Sequence, residues 1–151
     1  MTKVVIIGGG PGGYEAALVG AQLGAEVTVI EALGVGGTAV LTDCVPSKTL
    51  IAASVTEMPF TGVNKRVLEL AQAQSDDIAA RLEREGIRVI IGLAKLDGPH
   101  KVVVSTGETL DADVVLLATG TRPRVLEAAL PDGERILTWE QLYNLPELPS
   151  R

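Results

Sequence analysis

The sequence predicts an α/β chain built on a parallel sheet, with a small antiparallel meander set into it. Three observations carry this reading. Four short apolar runs, at residues 4–7, 26–30, 89–91 and 114–118, are rich in Val, Ile and Leu, and helical patterns separate the first three. The first run leads straight into Gly8-Gly9-Gly10-Pro11-Gly12-Gly13, a turn suited to joining a strand to a helix. Between Lys95 and Asp113 the apolar period shortens to two, with turns at Asp97-Gly98-Pro99 and Thr106-Gly107.

Composition narrows the class. The chain has 151 residues, enough for one domain with its own core, and 46% are hydrophobic. Only 3% are aromatic. Val, Ile, Leu and Ala must therefore form the core, as a sheet buried on both faces requires. The net charge of −6 argues against non-specific nucleic-acid binding, which needs Lys and Arg for phosphate contacts. An anionic cofactor would have to be held by local backbone dipoles against the overall field. Cys44 is the single cysteine, so an intramolecular disulfide and a cysteine-based metal cluster are both excluded. No apolar run approaches the length of a membrane span or of a signal peptide, and a cytoplasmic location is expected.

Residues 4–7 form the first expected strand. Gly8, Gly10 and Gly13 fill the G-x-G-x-x-G frame, and Glu31 closes the second apolar run at about 20 residues' distance. In this Rossmann-like arrangement the first glycine permits the turn and the second the approach of a pyrophosphate. The third permits close helix–strand packing. A helix follows over about 12–23, with Ala17, Leu18 and Ala21 at helical spacing and Gly24 as its stop. Its N-terminal N–H groups face the phosphates. Residues 26–30 are the second strand. Glu31 stands at its carboxyl end, where it can accept hydrogen bonds from an adenosine ribose or be a solvated strand-end acid.

The next stretch holds Gly34, Gly36, Gly37, Thr38 and then Asp43-Cys44-Val45-Pro46-Ser47-Lys48. Pro46 is tolerated only in a helix's first turn, which places Cys44 at or near a helix N-terminus. That setting favours a thiolate. Lys48 falls one turn along on the same face. Read alone, Cys44 is better taken as a small buried apolar filler, and Lys48 as a solvated helix charge. Residues 58–62, Met-Pro-Phe-Thr-Gly, break the pattern. A long amphipathic helix is expected over 63–85, with Val63, Val67, Leu70, Ala71, Ile78 and Leu82 inward and Gly86 as its stop. Residues 89–91 are the third parallel strand. The meander is expected at 94–96, 101–105 and 109–110, with His100 exposed in a turn. Residues 114–118 are the fourth parallel strand. Thr138 and Gln141 frame a capping box for a short final helix.

Several of these stretches, in order, resemble the pyridine-nucleotide–disulfide oxidoreductases. They are the Gly8–Tyr14 turn with Glu31, Gly36-Gly37-Thr38 with Cys44-Val45-Pro46-Ser47-Lys48, Gly92-Leu93-Ala94, and Leu117-Ala118-Thr119-Gly120-Thr121-Arg122-Pro123. The resemblance implies that the bound dinucleotide is FAD. It implies that Gly8, Gly10, Pro11 and Gly12 contact the pyrophosphate and that Glu31, followed by Ala32, binds the adenosine ribose. Gly37 and Thr38 would run along the pyrophosphate and ribityl chain. Cys44 would lie under the isoalloxazine ring and Lys48 near its N5, the two being the candidate catalytic residues. Ala94 would offer its backbone to the adenine, and Ala118, Thr119 and Gly120 would line the cofactor. It further implies a sheet ordered 89–91, 26–30, 4–7, 114–118.

The sequence departs from the family pattern in three ways. Ala39 stands where the family has the first cysteine of a C-x4-C pair, so the dithiol relay is lost and disulfide substrates are not expected. Together with Pro131-Asp132-Gly133-Glu134-Arg135-Ile136-Leu137-Thr138-Trp139, the Gly36–Lys48 stretch is similar to an actinobacterial branch of NAD(P)H–quinone reductases. In such an enzyme hydride passes from NAD(P)H to FAD and on to a quinone, with the cofactor carrying the chemistry. The region from Ile51 to Val63 is short for the family. The chain also stops where the family's nicotinamide domain begins. The expectation is an FAD-binding domain over 1–145 with a linker remnant at 146–151, inactive alone with NAD(P)H. The exposed sheet edge would be a route to a homodimer. The alternatives are a non-catalytic or engineered module for FAD or ADP, a dihydrolipoamide dehydrogenase-like protein with lost disulfide chemistry, and an NAD-binding domain.

Overall fold

A computed structural model describes residues 1–55 and 59–148. Its elements alternate as the apolar runs require. Strand β1 (Lys3–Ile7), helix α1 (Pro11–Gln22) and strand β2 (Glu26–Glu31) come first. Helices α2 (Gly37–Leu41), α3 (Cys44–Ala53) and α4 (Phe60–Arg84) follow, then strands β3 (Arg88–Ile91), β4 (Ala94–Leu96), β5 (Lys101–Val104), β6 (Thr109–Asp111) and β7 (Val114–Leu117). A single 3-10 turn at Glu127–Ala129 and helix α5 (Trp139–Leu142) complete the described chain.

The parallel sheet has the order β3-β2-β1-β7, as expected, and β4-β5-β6 form a separate antiparallel sheet. Register is set by the period of two. In β1, Ile6 faces a core with Ala17, Leu18, Val27, Val29, Leu82 and Ile87, beneath α1 and α4. Val5 and Ile7 face the other way, onto Ile30, Ile90, Val102 and Val104. The meander is therefore the third layer, and it buries the sheet face that the helices leave open. Arg88 in β3 binds Glu108 through two hydrogen bonds of 2.6 and 2.8 Å, which joins the two sheets at the rim. This pairing holds the Arg88 guanidinium pKa above its usual value, through the hydrogen bond first and the charge of Glu108 second.

Three details differ from the expectation. The stretch from Phe60 to Gly62 begins α4 and does not break it. The Pro59 carbonyl accepts the N–H groups of Gly62 and Val63 at 2.9 and 3.1 Å, so the proline sits at the one helix end where its missing N–H costs nothing. Met58 lies outside the described residues, as do residues 149–151 of the expected linker. Leu70 is 42% exposed and not part of the inner stripe. The buried positions of α4 are Val63, Asn64, Val67, Ala71, Ser75 and Leu82, and Leu70 sits one residue, about 100° of helix, away from Ala71. Ser75 is tolerated there because its hydroxyl donates to the Val35 carbonyl at 2.6 Å. Finally, α2 was not expected, because five residues opening on a glycine carry no readable period.

Candidate functional site

The site is built where β1, β2 and β7 end. Gly8 leaves β1 with φ +108, and its N–H donates to the Ile30 carbonyl at 2.8 Å. A Cβ on Gly8 would stand 2.1 Å from the Ala118 carbonyl oxygen, and one on Gly13 would stand 1.9 Å from the Gly8 carbonyl oxygen. These two glycines are required by the chain's own packing. Gly10 and Gly12 are not. A Cβ on Gly12 would meet nothing within 4 Å, and one on Gly10 only the Gly37 Cα at 4.0 Å. Gly10 is the N-cap of α1 and makes no side-chain cap, while Pro11 occupies the first turn. The α1 N-terminus thus opens onto free space with Pro11 and Gly12 exposed.

Glu31, the last residue of β2, is 9% exposed. Its carboxylate is held from two sides: Gly9 N–H donates to Oε2 at 2.5 Å and Leu33 N–H to Oε1 at 3.0 Å. Each carboxylate oxygen has two lone-pair sites, so one on each remains for another donor. Gly9 and Leu33 were missed by the sequence reading. Both act through backbone N–H groups, which no side-chain pattern marks. Ala32 is exposed beside them.

A second glycine loop closes on the first. Gly36 N–H donates to the Gly9 carbonyl at 2.8 Å. Gly37 has φ +57, and a Cβ there would come within 2.9 Å of the Gly10 Cα, so the two backbones are in direct contact. Thr38 is exposed in α2, and its carbonyl accepts the Thr42 N–H at 3.0 Å and the Asp43 N–H at 2.7 Å. Asp43 is the N-cap of α3, and Cys44 is the first residue of that helix, as Pro46 required. Cys44 is exposed, which removes the reading of a buried filler. Lys48 is exposed one turn further along. On the β7 side, Ala118 N–H donates to the Ile7 carbonyl at 2.8 Å, and Thr119 and Gly120 are exposed beyond it. On the β3 side, Gly92 N–H donates to the Glu31 carbonyl at 2.8 Å, which sets half-buried Ala94 two residues on, at the start of β4. Gly8 thus packs on Ala118 and Gly10 on Gly37, which Thr38 follows, and Glu31 joins them through Gly9. Cys44 and Lys48 join through Thr38, and Ala94 joins through Gly92.

The final helix reaches the same region from behind. Thr138 and Gln141 form the expected capping box, with Thr138 N–H donating to Gln141 Oε1 at 2.8 Å. Tyr143 packs with Val63, Val67, Leu50 and Trp139. Burial pushes its phenol pKa up, and the nearby Asp43 carboxylate adds to the rise. No group of three or more metal-ligating side chains occurs among the described residues, and none of the described helices is long and apolar enough to cross a membrane. His100 is exposed, with Nδ1 3.1 Å from the Ala112 carbonyl oxygen.

Known proteins match this chain over nearly its whole length. A family model described as pyridine nucleotide-disulphide oxidoreductase matches residues 2–150. The chain is 46% identical to an NAD(P)H dehydrogenase (quinone) of Mycobacterium tuberculosis over 182 residues, covering 99% of this chain and 37% of that protein. It is 33% identical to a dihydrolipoyl dehydrogenase of Chlorobaculum tepidum over 168 residues, covering 97% and 36%. The crystal structure of LpdA from Mycobacterium tuberculosis superposes with a TM-score of 0.88 at 46% identity, covering 99% of this chain and 38% of that one. The HOCl-induced flavoprotein disulfide reductase RclA from Escherichia coli superposes with a TM-score of 0.85 at 27% identity, covering 97% and 35%. This chain therefore spans little more than a third of the length of these relatives. The first match runs over 182 residues against 151 in this whole chain, so the relative carries positions with no counterpart here.

Proposed function

Because the chain belongs to the pyridine nucleotide-disulphide oxidoreductases, we propose that residues 1–145 form the FAD-binding part of a cytoplasmic NAD(P)H–quinone type oxidoreductase. Family membership brings flavin and pyridine-nucleotide use; FAD and a quinone acceptor are the finer reading. One observation supports FAD most directly. Gly10 and Gly12 are not needed by the chain's own packing, and both lie at an open helix N-terminus beside a carboxylate already oriented by Gly9 and Leu33. A pyrophosphate would use the free N–H groups of the first turn, and Glu31 would take the ribose hydroxyls on its two spare lone-pair sites.

The residues present fit FAD in further respects. Gly8 sets the turn, and Pro11 would flank the pyrophosphate. Gly37 and Thr38 would follow the chain of the cofactor, Ala32 and Ala94 would border its adenosine end, and Ala118, Thr119 and Gly120 would line it from β7. Cys44 and Lys48 would stand at the flavin end. When bound, FAD would supply hydride acceptance from NAD(P)H and onward transfer to a quinone. The protein's part is to bind and orient it. With Ala39 on α2 and a single cysteine in the chain, thiol–disulfide relay is not part of this reading.

Competitive titration of the purified chain with FAD, NAD and ADP tests the proposal. FAD should bind tightest. Tighter binding of NAD would favour a plain NAD domain, and equal binding of ADP and FAD would favour a module that recognises only the adenosine half.

A further inference from the structure

Helix α4 carries a hydroxyl where its inner stripe calls for an apolar side chain. Ser75 is 4% exposed and belongs to the same buried row as Val67, Ala71 and Leu82. Alanine would suit the position better on local grounds, having the higher helix propensity and no polar group to bury. The Ser75 hydroxyl reaches instead to Val35, 40 residues earlier in the chain, and donates to its carbonyl at 2.6 Å. Val35 is itself buried, and among the described residues no backbone N–H donates to that carbonyl. Without Ser75 it would be a buried acceptor with no partner.

What this bond holds is the second glycine loop. Gly36 and Gly37, next in the chain, have φ +99 and +57, and glycine has the greatest backbone freedom of any residue. The loop's own bonds are long: Gly37 N–H lies 3.3 Å from the Gly34 carbonyl oxygen and Val40 N–H 3.4 Å from that of Gly36. Its short bonds lead outward. Ser75 holds the Val35 carbonyl on one side, and on the other Gly36 N–H donates to the Gly9 carbonyl at 2.8 Å. Gly9 N–H in turn donates to Glu31. A continuous course of peptide units and hydrogen bonds thus runs from α4 through both glycine loops to the carboxylate, and Gly37 lies directly against Gly10.

We propose that Ser75 is a positioning residue for the dinucleotide cradle: its hydroxyl pins the second glycine loop so that Gly37 and Thr38 keep a fixed separation from Gly10 and Gly12. Its consequence for a cofactor rests on the FAD reading above, whereas the pinning of the loop does not. A loosened loop would have to be ordered by a ligand lying along both loops, and that ordering weakens binding.

The first arm of the test uses the whole chain without cofactor, so a failure of FAD to bind leaves it intact. Amide hydrogen exchange is followed at Gly36, whose N–H bonds to Gly9, and at Ile6 in the interior strand β1, which reports overall stability. Ser75→Ala should speed exchange at Gly36 relative to Ile6 by about fivefold or more, the loss of a hydrogen bond whose acceptor stays buried. Val63→Ala is the control. It lowers stability from the other end of α4, in a separate apolar cluster, and should leave that ratio at its wild-type value. In the second arm FAD is titrated: Ser75→Ala should bind it about fivefold or more weakly, and Val63→Ala as the wild type does. An unchanged exchange ratio in Ser75→Ala would overturn the proposal, and so would a rise of the same size in Val63→Ala. Undiminished FAD affinity in Ser75→Ala would overturn it too. A wild-type chain that takes up no FAD would overturn the FAD reading instead, and the exchange ratio would then decide the pinning by itself.

Discussion

Replacing Gly10 and Gly13 separately by alanine separates the ligand's needs from the chain's. Gly13→Ala would put a methyl group 1.9 Å from the Gly8 carbonyl oxygen, a backbone atom that cannot swing aside. One extra methylene in a yielding core already costs about 1–3 kcal/mol, and this clash falls at or above the top of that range. With a urea m-value of about 1–3 kcal/mol/M, the midpoint should fall by about 1 M or more. Gly10→Ala is different. Its φ of −70 suits any residue, and the new methyl would meet only the Gly37 Cα at 4.0 Å. Stability should change by no more than about 0.5 kcal/mol. The methyl would, however, occupy the space through which a pyrophosphate approaches the first turn of α1. Loss of one hydrogen bond to a charged group, about 1.5–3 kcal/mol, corresponds to at least about a tenfold weakening of FAD binding. Urea denaturation and FAD titration of both variants make the comparison. Gly10→Ala with wild-type stability and wild-type FAD affinity would refute the reasoning, because it would show that no ligand uses that opening.

Three further outcomes follow from the geometry. Glu31→Ala should strand the Gly9 and Leu33 N–H groups and destabilise the chain by about 1–3 kcal/mol, read by urea denaturation, while also weakening FAD. Glu31→Gln should recover part of the stability, since its amide oxygen still accepts one of the two bonds. The Tyr143 phenol has its pKa raised above the ordinary 10.0, so what the neutral phenol contributes to the packing of the α5 end on α3 and α4 is fully present below pH 10.0 and is lost as pH rises through the folded-state value. Trp139 fluorescence should report this alkaline undocking, and Tyr143→Phe should abolish it. Asn64→Leu removes the donor to Leu145 but also the unpartnered Oδ1, so its urea midpoint should stay within about 0.5 M of wild type while amide exchange in the segment after α5 rises.

Much of this molecule could be read from local pattern, because its framework depends on it. The alternation of β1 sends Ile6 to one core and Val5 and Ile7 to the other, whereas the strand order came from the family resemblance and not from the runs themselves. Cys44 could be placed at a helix start from Pro46 alone, since proline has few tolerated helix positions. What the sequence hid was of three kinds. Helix α2 is too short, and too rich in glycine at its start, to show a period. Phe60 to Gly62 read as a break because proline and glycine stop helices more often than they begin them, yet here Pro59 supplies the first carbonyl. The restraint of Glu31 by Gly9 and Leu33 depends on backbone N–H groups, which no side-chain pattern records. Tyr143 was unreadable for a different reason: its partners Val63 and Val67 lie far back in the chain, and tertiary packing alone brings them together.

The central claim is that the open glycine turn, the oriented Glu31 and the α2–α3 region together hold one FAD. The most direct measurement is flavin content after the purified chain is incubated with FAD and passed through a desalting column, read by visible absorbance against protein concentration. The account predicts one FAD retained per chain, with Gly10→Ala retaining much less. A folded chain that retains none, under conditions where its circular dichroism is unchanged, would contradict it.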